Sequence, residues 1–154
     1  VLNGNLYRNI EWPVVVMLAA MIPVGQALET SGISLNIANF ISTTTHGMDL
    51  PWLILMILVI TMFVSDIVNN AATAVIMAPI AANLALQIGQ PVEPFLMAVA
   101  VGASCAFLSP IGHQCNTLVM APGNYKFGDY WRLGLPLECV IVAISIPMIL
   151  FVWT

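Results

Sequence analysis

Long apolar segments with almost no charge restrict the fold of this chain more than any other feature. Hydrophobic residues make up 60% of its 154 residues and charged residues only 6%, whereas soluble domains carry about 25% charged residues. This composition excludes a water-soluble globule, and it excludes a disordered chain, which would be polar and charged. Three basic residues are too few to neutralise a phosphate backbone, so nucleic-acid binding is excluded too. The sequence therefore predicts an all-α integral membrane protein, because lipid leaves no water for open backbone groups.

The apolar segments predict a single transmembrane region. A membrane helix needs about 20 mainly apolar residues. Spans are predicted at residues 12–29 and 133–153, with a long apolar stretch at 51–89 and another span at 94–121 between them. The more polar residues 30–49 keep some helical spacing of apolar side chains, which predicts a short interfacial helix.

The long apolar stretch has a polar gap in its middle, at residues 65–70. A single helix over 51–89 would measure about 60 Å, twice the hydrocarbon core, so the chain must turn at the gap. The turn either joins two full spans or forms the tip, residues 66–71, of a re-entrant hairpin. The absence of basic residues in the gap favours the hairpin, whose polar tip would be satisfied by the second interruption described next.

The second interruption lies within the span at 94–121. The apolar pattern stops at Leu108, residues 109–116 bring Pro110, a glycine and several polar side chains, and the pattern resumes at Thr117. Proline removes a donor and clashes with the preceding helical turn. We predict a span broken near its middle, with a simple kink as the alternative.

Two interrupted helices in one short membrane segment indicate a secondary transporter. A half-helix that begins near Ala71 would direct free N–H groups at an anion. A half-helix that ends at residues 65–68 would offer carbonyl oxygens to a hard cation such as Na⁺. No catalytic triad, zinc motif or phosphate loop is present in the sequence, so we expect neither an enzyme nor a cofactor.

Two titratable side chains lie in the interruptions. Asp66 is costly at membrane depth unless it is paired or functional. It either orients the tip, binds a cation, relays protons or only caps nearby N–H groups. His113 either senses pH or hydrogen-bonds the substrate, or it only fixes the loop.

The few charged residues set the expected orientation, because basic residues favour the cytoplasmic side. With Arg8 inside, Lys126 and Arg132 also fall inside, whereas Asp49 and Glu93 fall outside. A re-entrant hairpin and a pair of full spans predict the same orientation.

At the two interruptions the sequence resembles the divalent anion/sodium symporters of the ion transporter superfamily, which also holds citrate and arsenite carriers. Residues 65–73, leading to Pro79, resemble the hairpin tip of that family. Residues 106–117 resemble its broken helix, and residues 122–130 with Gly134 resemble the connection to its last span. The similarity covers nearly the whole chain.

This resemblance implies partners and a place in the cell. Members of the family carry two inverted repeats and form homodimers that work by an elevator motion. The chain begins at Val1 without an initiator methionine and would be the C-terminal repeat of a longer protein. We expect a multi-pass protein of the bacterial inner membrane. Its partners would be lipid, a second copy, the missing N-terminal repeat and a small anionic substrate.

The resemblance also implies site residues. The family tip carries Ser-Asn-Thr, which binds substrate and sodium, and Asn70 matches its asparagine. Asn69 and Ala71 replace its serine and threonine, while Thr73 keeps a hydroxyl nearby. The candidate anion-binding residues are Asn69, Asn70, Thr73, Pro110, Asn116 and Thr117. The candidate sodium ligands are Val68, Asn70, Ser109 and Gly112.

These features predict sodium-coupled uptake of a small divalent anion. The His-Gln-Cys at residues 113–115 departs from the dicarboxylate carriers and is closer to bacterial members that are assigned to sulfate or left unassigned. The alternatives are a proton-coupled antiporter or an arsenite/citrate-type carrier that uses Asp66 for protons. A channel or a non-transporting membrane subunit is the alternative from another class.

Overall fold

A computed structural model describes residues 12–45, 47–110, 112–120 and 122–153. Every regular element in these residues is a helix, as the composition predicted. The helices are α1 (Trp12–Thr30), α2 (Ile33–Thr44), α3 (Leu50–Ile67), α4 (Asn70–Gln87), α5 (Glu93–Ala103), α6 (Gln114–Met120) and α7 (Tyr130–Trp153), with a 3₁₀ turn at Phe127–Asp129 directly before α7. Arg8, on which part of the predicted orientation depends, lies outside the described residues.

Three of the described helical segments are long and apolar enough to cross a membrane, namely α3, α4 and Phe127–Trp153, which includes α7. The helices α3 and α4 have 18 residues each, or about 27 Å at 1.5 Å per residue. That length suits a full span as well as one arm of a re-entrant hairpin. The re-entrant form therefore stays a prediction.

The apolar core lies between α3, α4 and α5. Its buried side chains recur every three or four residues, so each helix turns one stripe inward. They include Leu53, Ile54, Ile57 and Leu58 of α3, Ile80, Ala81, Leu84 and Ala85 of α4, and Phe95, Ala98 and Val99 of α5. The helices α1 and α2 pack on α4, while α7 packs on α3 and α5.

A glycine lets α3 and α5 cross closely near the polar ends of both helices. A Cβ added at Gly102 would lie 2.9 Å from the Leu58 carbonyl oxygen and 2.9 Å from the Thr61 Cβ. Any larger residue would push the two helices apart. The crossing therefore holds the end of α5 against the last turns of α3, where the polar gap begins.

The helix α5 ends earlier than the apolar pattern suggests. The pattern predicted helix as far as Leu108, but α5 ends at Ala103 and α6 begins only at Gln114. The Leu108 N–H donates to the Asp66 carboxylate at 2.9 Å and not to a carbonyl of its own helix. A contact from α3 thus replaces a helical hydrogen bond, and apolar side chains cannot reveal it. We call residues 104–110 and 112–113 the interrupted segment.

Candidate functional site

Asn69 is the N-cap residue of α4, and the N–H groups of its side chain stay free at the hairpin tip. Its Oδ1 accepts a hydrogen bond from the Ala72 N–H at 2.8 Å, which satisfies one of the free donors in the first turn of α4. Its Nδ2 has no hydrogen-bond partner within the part of the chain that the structure describes. The Asn69 side chain therefore offers N–H groups to a ligand.

Asn70 ties the tip to the interrupted segment. The Ser65 hydroxyl donates to the Ala103 carbonyl at 2.8 Å, so its oxygen is left to accept from Asn70. With its nitrogen facing Ser65, the Asn70 amide lies 3.0 Å from Ser65 Oγ, 3.1 Å from the Ala103 oxygen and 3.3 Å from the Gly112 oxygen. This orientation of the amide is assigned from the network. It uses the N–H groups of Asn70 and leaves its Oδ1 as an acceptor.

Asp66 makes a second connection between α3 and the interrupted segment. Its Oδ1 accepts from the Leu108 N–H at 2.9 Å. Its backbone carbonyl accepts from the Ser109 hydroxyl at 2.6 Å, and the Gly112 N–H donates to that hydroxyl at 3.2 Å. The other carboxylate oxygen, Oδ2, is buried without a hydrogen-bond partner among the described residues. Asp66 thus caps a free N–H and orients the tip.

Gly112 brings the two interruptions into backbone contact. A Cβ added there would lie 2.8 Å from the Ser65 carbonyl oxygen, 2.7 Å from the Ala106 Cβ and 3.1 Å from the Asp66 Cα. Only glycine allows this approach, so Gly112 has a steric role in addition to its predicted role as a sodium ligand.

The remaining predicted residues fold the interrupted segment onto α6. Asn116 Nδ2 donates to the carbonyls of Ala106 at 2.8 Å and Ser109 at 3.1 Å. The Thr117 hydroxyl donates to the carbonyl of the buried Pro110 at 2.6 Å. These bonds occupy the N–H groups of Asn116 and the hydroxyl proton of Thr117.

Two predicted residues stand apart from this polar centre. His113 is exposed, and its Nδ1 accepts from the Cys115 N–H at 3.1 Å, a contact that fixes the start of α6. Thr73 is completely buried, and its hydroxyl has no partner among the described residues. Thr73 therefore does not reach an opening in this conformation.

Each candidate side chain keeps either donors or acceptors that are not used within the protein, and this decides whether it suits an anion or a cation. Asn69 has free N–H donors and suits an anion. Asn70 and Asn116 have used their N–H groups within the protein and present carbonyl oxygens, which suit a cation. The backbone carbonyls of Ser109 and Gly112 each accept one of these amide bonds. Donors for an anion and acceptors for a cation thus lie side by side.

Two residues of α7 reach the interruption, although the sequence did not single them out as site residues. The Tyr130 hydroxyl donates to the Asn116 carbonyl at 2.7 Å, and Glu138 lines a cavity together with Leu108. A signal for Glu138 was present, because it is the only charged residue in the predicted span at 133–153. Tyr130 resembled an ordinary interfacial aromatic residue.

A family model described as a citrate transporter matches residues 2–102 and 48–154. The protein belongs to this transporter family. Its predicted place among the ion transporters is therefore confirmed, and it is a multi-pass membrane protein.

Several similar proteins are also named as transporters. The chain is 38% identical over 146 residues to an uncharacterized transporter of Synechocystis, covering 95% of this chain and 24% of that protein. It is 34% identical over 147 residues to the probable sodium/sulfate cotransporter 3 of Chlamydomonas reinhardtii, covering 94% and 16%. It is 31% identical over 144 residues to the sodium-dependent high-affinity dicarboxylate transporter 3 of Caenorhabditis elegans, covering 91% and 25%. The chain spans about a quarter or less of the length of these relatives.

Proposed function

We propose that the complete protein is a secondary active transporter that takes up a small divalent anion, sulfate or a dicarboxylate, together with sodium ions. The observation that carries this proposal is the set of hydrogen bonds between the hairpin tip and the interrupted segment. These bonds bring the end of α3 next to the interrupted segment, so that free donors and free acceptors lie close together inside an apolar membrane protein. The names of the sodium/sulfate and dicarboxylate relatives support the same choice of substrate and coupling ion.

The anion would bind at the N-terminus of α4. The first N–H groups of a helix have no acceptor within the helix, and this end carries the positive end of the helix dipole. The Asn69 amide adds two further N–H donors at the same place. Asn116 would have to release its bonds to Ala106 and Ser109 before it could donate to the anion. Pro110 and Thr117 would complete the substrate site, and Thr73, which is completely buried here, would join it only after a change of conformation.

A sodium ion would bind beside the anion, on carbonyl oxygens. The ligands would be the backbone carbonyls of Val68, Ser109 and Gly112 and the carbonyl of Asn70. These oxygens suit a hard cation, and the cation would offset the charge of the anion next to it. Binding of each ion would therefore favour binding of the other.

Sodium coupling has an energetic reason. Moving a dianion into a cell against about 100 mV, negative inside, costs roughly 4.6 kcal/mol, since each charge costs about 2.3 kcal/mol. Several sodium ions that enter with the anion would more than offset this cost. A uniporter, which moves the anion without any coupled solute, would not accumulate it against this potential.

We also propose the wider arrangement. The tip at residues 66–71 would be re-entrant and lie near the bilayer midplane. The chain would be the C-terminal repeat of a homodimeric protein of the bacterial inner membrane, paired with an N-terminal repeat of the same chain. The protein would move its substrate across the membrane without changing it chemically.

Uptake by the full-length protein in liposomes tests this function. Radiolabelled sulfate and succinate are supplied with an inward sodium gradient or with choline in place of sodium. We expect saturable uptake of one anion that requires sodium. Uptake that is independent of sodium would favour a proton-coupled carrier, and flux that does not saturate would favour a channel.

The variant Asn70→Ala tests whether one tip serves both ions. We expect the half-saturating concentrations of anion and of sodium to rise together, by roughly tenfold each, the effect of about 1.4 kcal/mol. Gln87→Ala, at the exposed far end of α4, is the matched control and should behave as wild type. Wild-type sodium activation in Asn70→Ala would contradict the shared site.

A further inference from the structure

One face of α7 contacts both sides of the interruption. Tyr130, Gly134 and Glu138 follow one another at intervals of four residues and therefore lie on the same face of the helix. We propose that this α7 face holds the interrupted segment and α6 in their relative positions, and that Tyr130 is a positioning residue for the anion site. The expected effect on transport rests on the proposed function, whereas the structural role does not.

Tyr130 fixes the α6 side of the interruption. Its hydroxyl donates to the Asn116 carbonyl at 2.7 Å, while the Asn116 side chain is bound to the Ala106 carbonyl at 2.8 Å. The Tyr130 ring is held in turn by an edge contact with Tyr125, with ring centroids 6.2 Å apart. Asn116 is thus anchored to α7 through its backbone and to the interrupted segment through its side chain.

Gly134 brings the backbone of α7 against the interrupted segment. A Cβ added at Gly134 would overlap the carbonyl of Phe107 and would lie 3.2 Å from the Leu108 nitrogen. Gly134 is buried, whereas most side chains of α7 are exposed. The close approach leaves little room for the interrupted segment to move relative to α7.

Asp66 of α3 fixes the α5 side of the interruption. The Leu108 N–H donates to the Asp66 carboxylate at 2.9 Å. Backbone N–H groups that lose their helical partners need other acceptors when they are buried, and here α3 supplies the acceptor. Glu138 of α7 lines a cavity together with Leu108, and its Oε1 is buried without a hydrogen-bond partner among the described residues.

The positions of these contacts predict how α7 affects the site. A displacement of α7 would move Asn116 through Tyr130 and would move Phe107 through Gly134. Removal of the Tyr130 contact should loosen the site while the spans stay folded. The anion should then bind more weakly, and the maximal rate should change little.

Hydrogen–deuterium exchange of the full-length protein tests the structural role directly. Tyr130→Phe removes one hydroxyl and keeps the ring, and we expect the amides of residues 114–120 to exchange about fivefold faster, the effect of one lost hydrogen bond. Tyr125→Phe is the matched control, because it keeps the ring contact and its hydroxyl has no hydrogen bond among the described residues. Equal exchange in the two variants would overturn the role of Tyr130.

Kinetics of uptake test the consequence for the site. We expect Tyr130→Phe to raise KM for the anion about fivefold with kcat nearly unchanged, and Tyr125→Phe to match wild type. A fall in kcat alone would overturn the positioning role. If the wild type takes up no anion, the proposed function fails, and the exchange measurements still decide whether the α7 face holds the interruption.

Discussion

The two neighbouring asparagines of the tip use the same side chain in opposite ways. The oxygen of Asn69 caps α4 and leaves donors free, whereas the nitrogen of Asn70 binds Ser65, Ala103 and Gly112 and leaves an oxygen free. The difference arises because Asn69 precedes the helix and Asn70 lies within its first turn. One asparagine is therefore suited to an anion and the other to a cation.

The variant Asn69→Asp separates the capping role of Asn69 from its binding role. Aspartate is as good an N-cap as asparagine, so the thermal midpoint of the purified full-length protein should stay close to wild type. The anion should bind at least tenfold more weakly, because a carboxylate replaces two donors and repels an anion. Asn69→Ala is the comparison variant, and it should lose about 1 kcal/mol of stability together with affinity. Wild-type anion uptake by Asn69→Asp would show that Asn69 does not contact the anion.

The contact at Gly112 predicts a steric effect. Gly112→Ala would place a methyl group 2.8 Å from the Ser65 carbonyl oxygen and should cost about 1–3 kcal/mol, as overpacking does. Gly128→Ala is the control, because no atom lies within 4 Å of a Cβ added there. Chemical denaturation of both variants measures the difference, and equal stability would show that the two interruptions do not meet in this way.

At the scale of elements, the hairpin of α3 and α4 and the break between α5 and α6 form one unit. The hydrogen bonds of Ser65 and Asp66 join the end of α3 to α5 and the interrupted segment. Gly102 of α5 lies against Leu58 and Thr61 of α3 and lets the two helices approach closely. The interrupted segment therefore holds the tip in place, and a substitution in one of them should disturb the structure of the other.

Accessibility of the tip tests whether this unit is re-entrant. Asn69→Cys is made in the full-length protein without Cys115 and Cys139, which are both exposed. We expect saturating substrate to protect position 69 from small thiol reagents, because the tip would be occluded. Free reaction with a large impermeant reagent from the cytoplasm, with or without substrate, would show an aqueous turn between two full spans. Asn69→Leu should still insert into the membrane but should not transport, since leucine is cheaper than asparagine in a bilayer.

At the scale of the whole molecule, the chain leaves much apolar surface uncovered. Phe151, Leu133 and Leu118 are 88%, 79% and 73% exposed, which no water-soluble protein of this size would tolerate over whole helices. The chain spans about a quarter or less of the length of the three relatives named above. We expect lipid and the remainder of the transporter to cover these faces.

The distribution of charge predicts the orientation of the molecule in the membrane. In intact cells Glu93→Cys should react with an impermeant thiol reagent from outside, whereas Lys126→Cys should react only after permeabilisation, because basic residues favour the cytoplasm. Both positions are exposed, so the parent protein without Cys115 and Cys139 serves as the control for background labelling. Reaction of Lys126→Cys in intact cells would reverse the orientation.

Patterns in the sequence predicted the helical membrane class, the two interruptions, the contact between them and the transporter family. These follow from local patterns, because apolar runs, prolines and clustered polar residues act within a few residues of chain. Tertiary structure alone decided that α5 ends at Ala103, that Asn69 and Asn70 present opposite groups, and that Tyr130 and Glu138 reach the break. The physical reason is that the free N–H and C=O groups of an interrupted helix are satisfied by side chains from distant spans, such as Asp66 binding Leu108. Local periodicity carries no information about those partners.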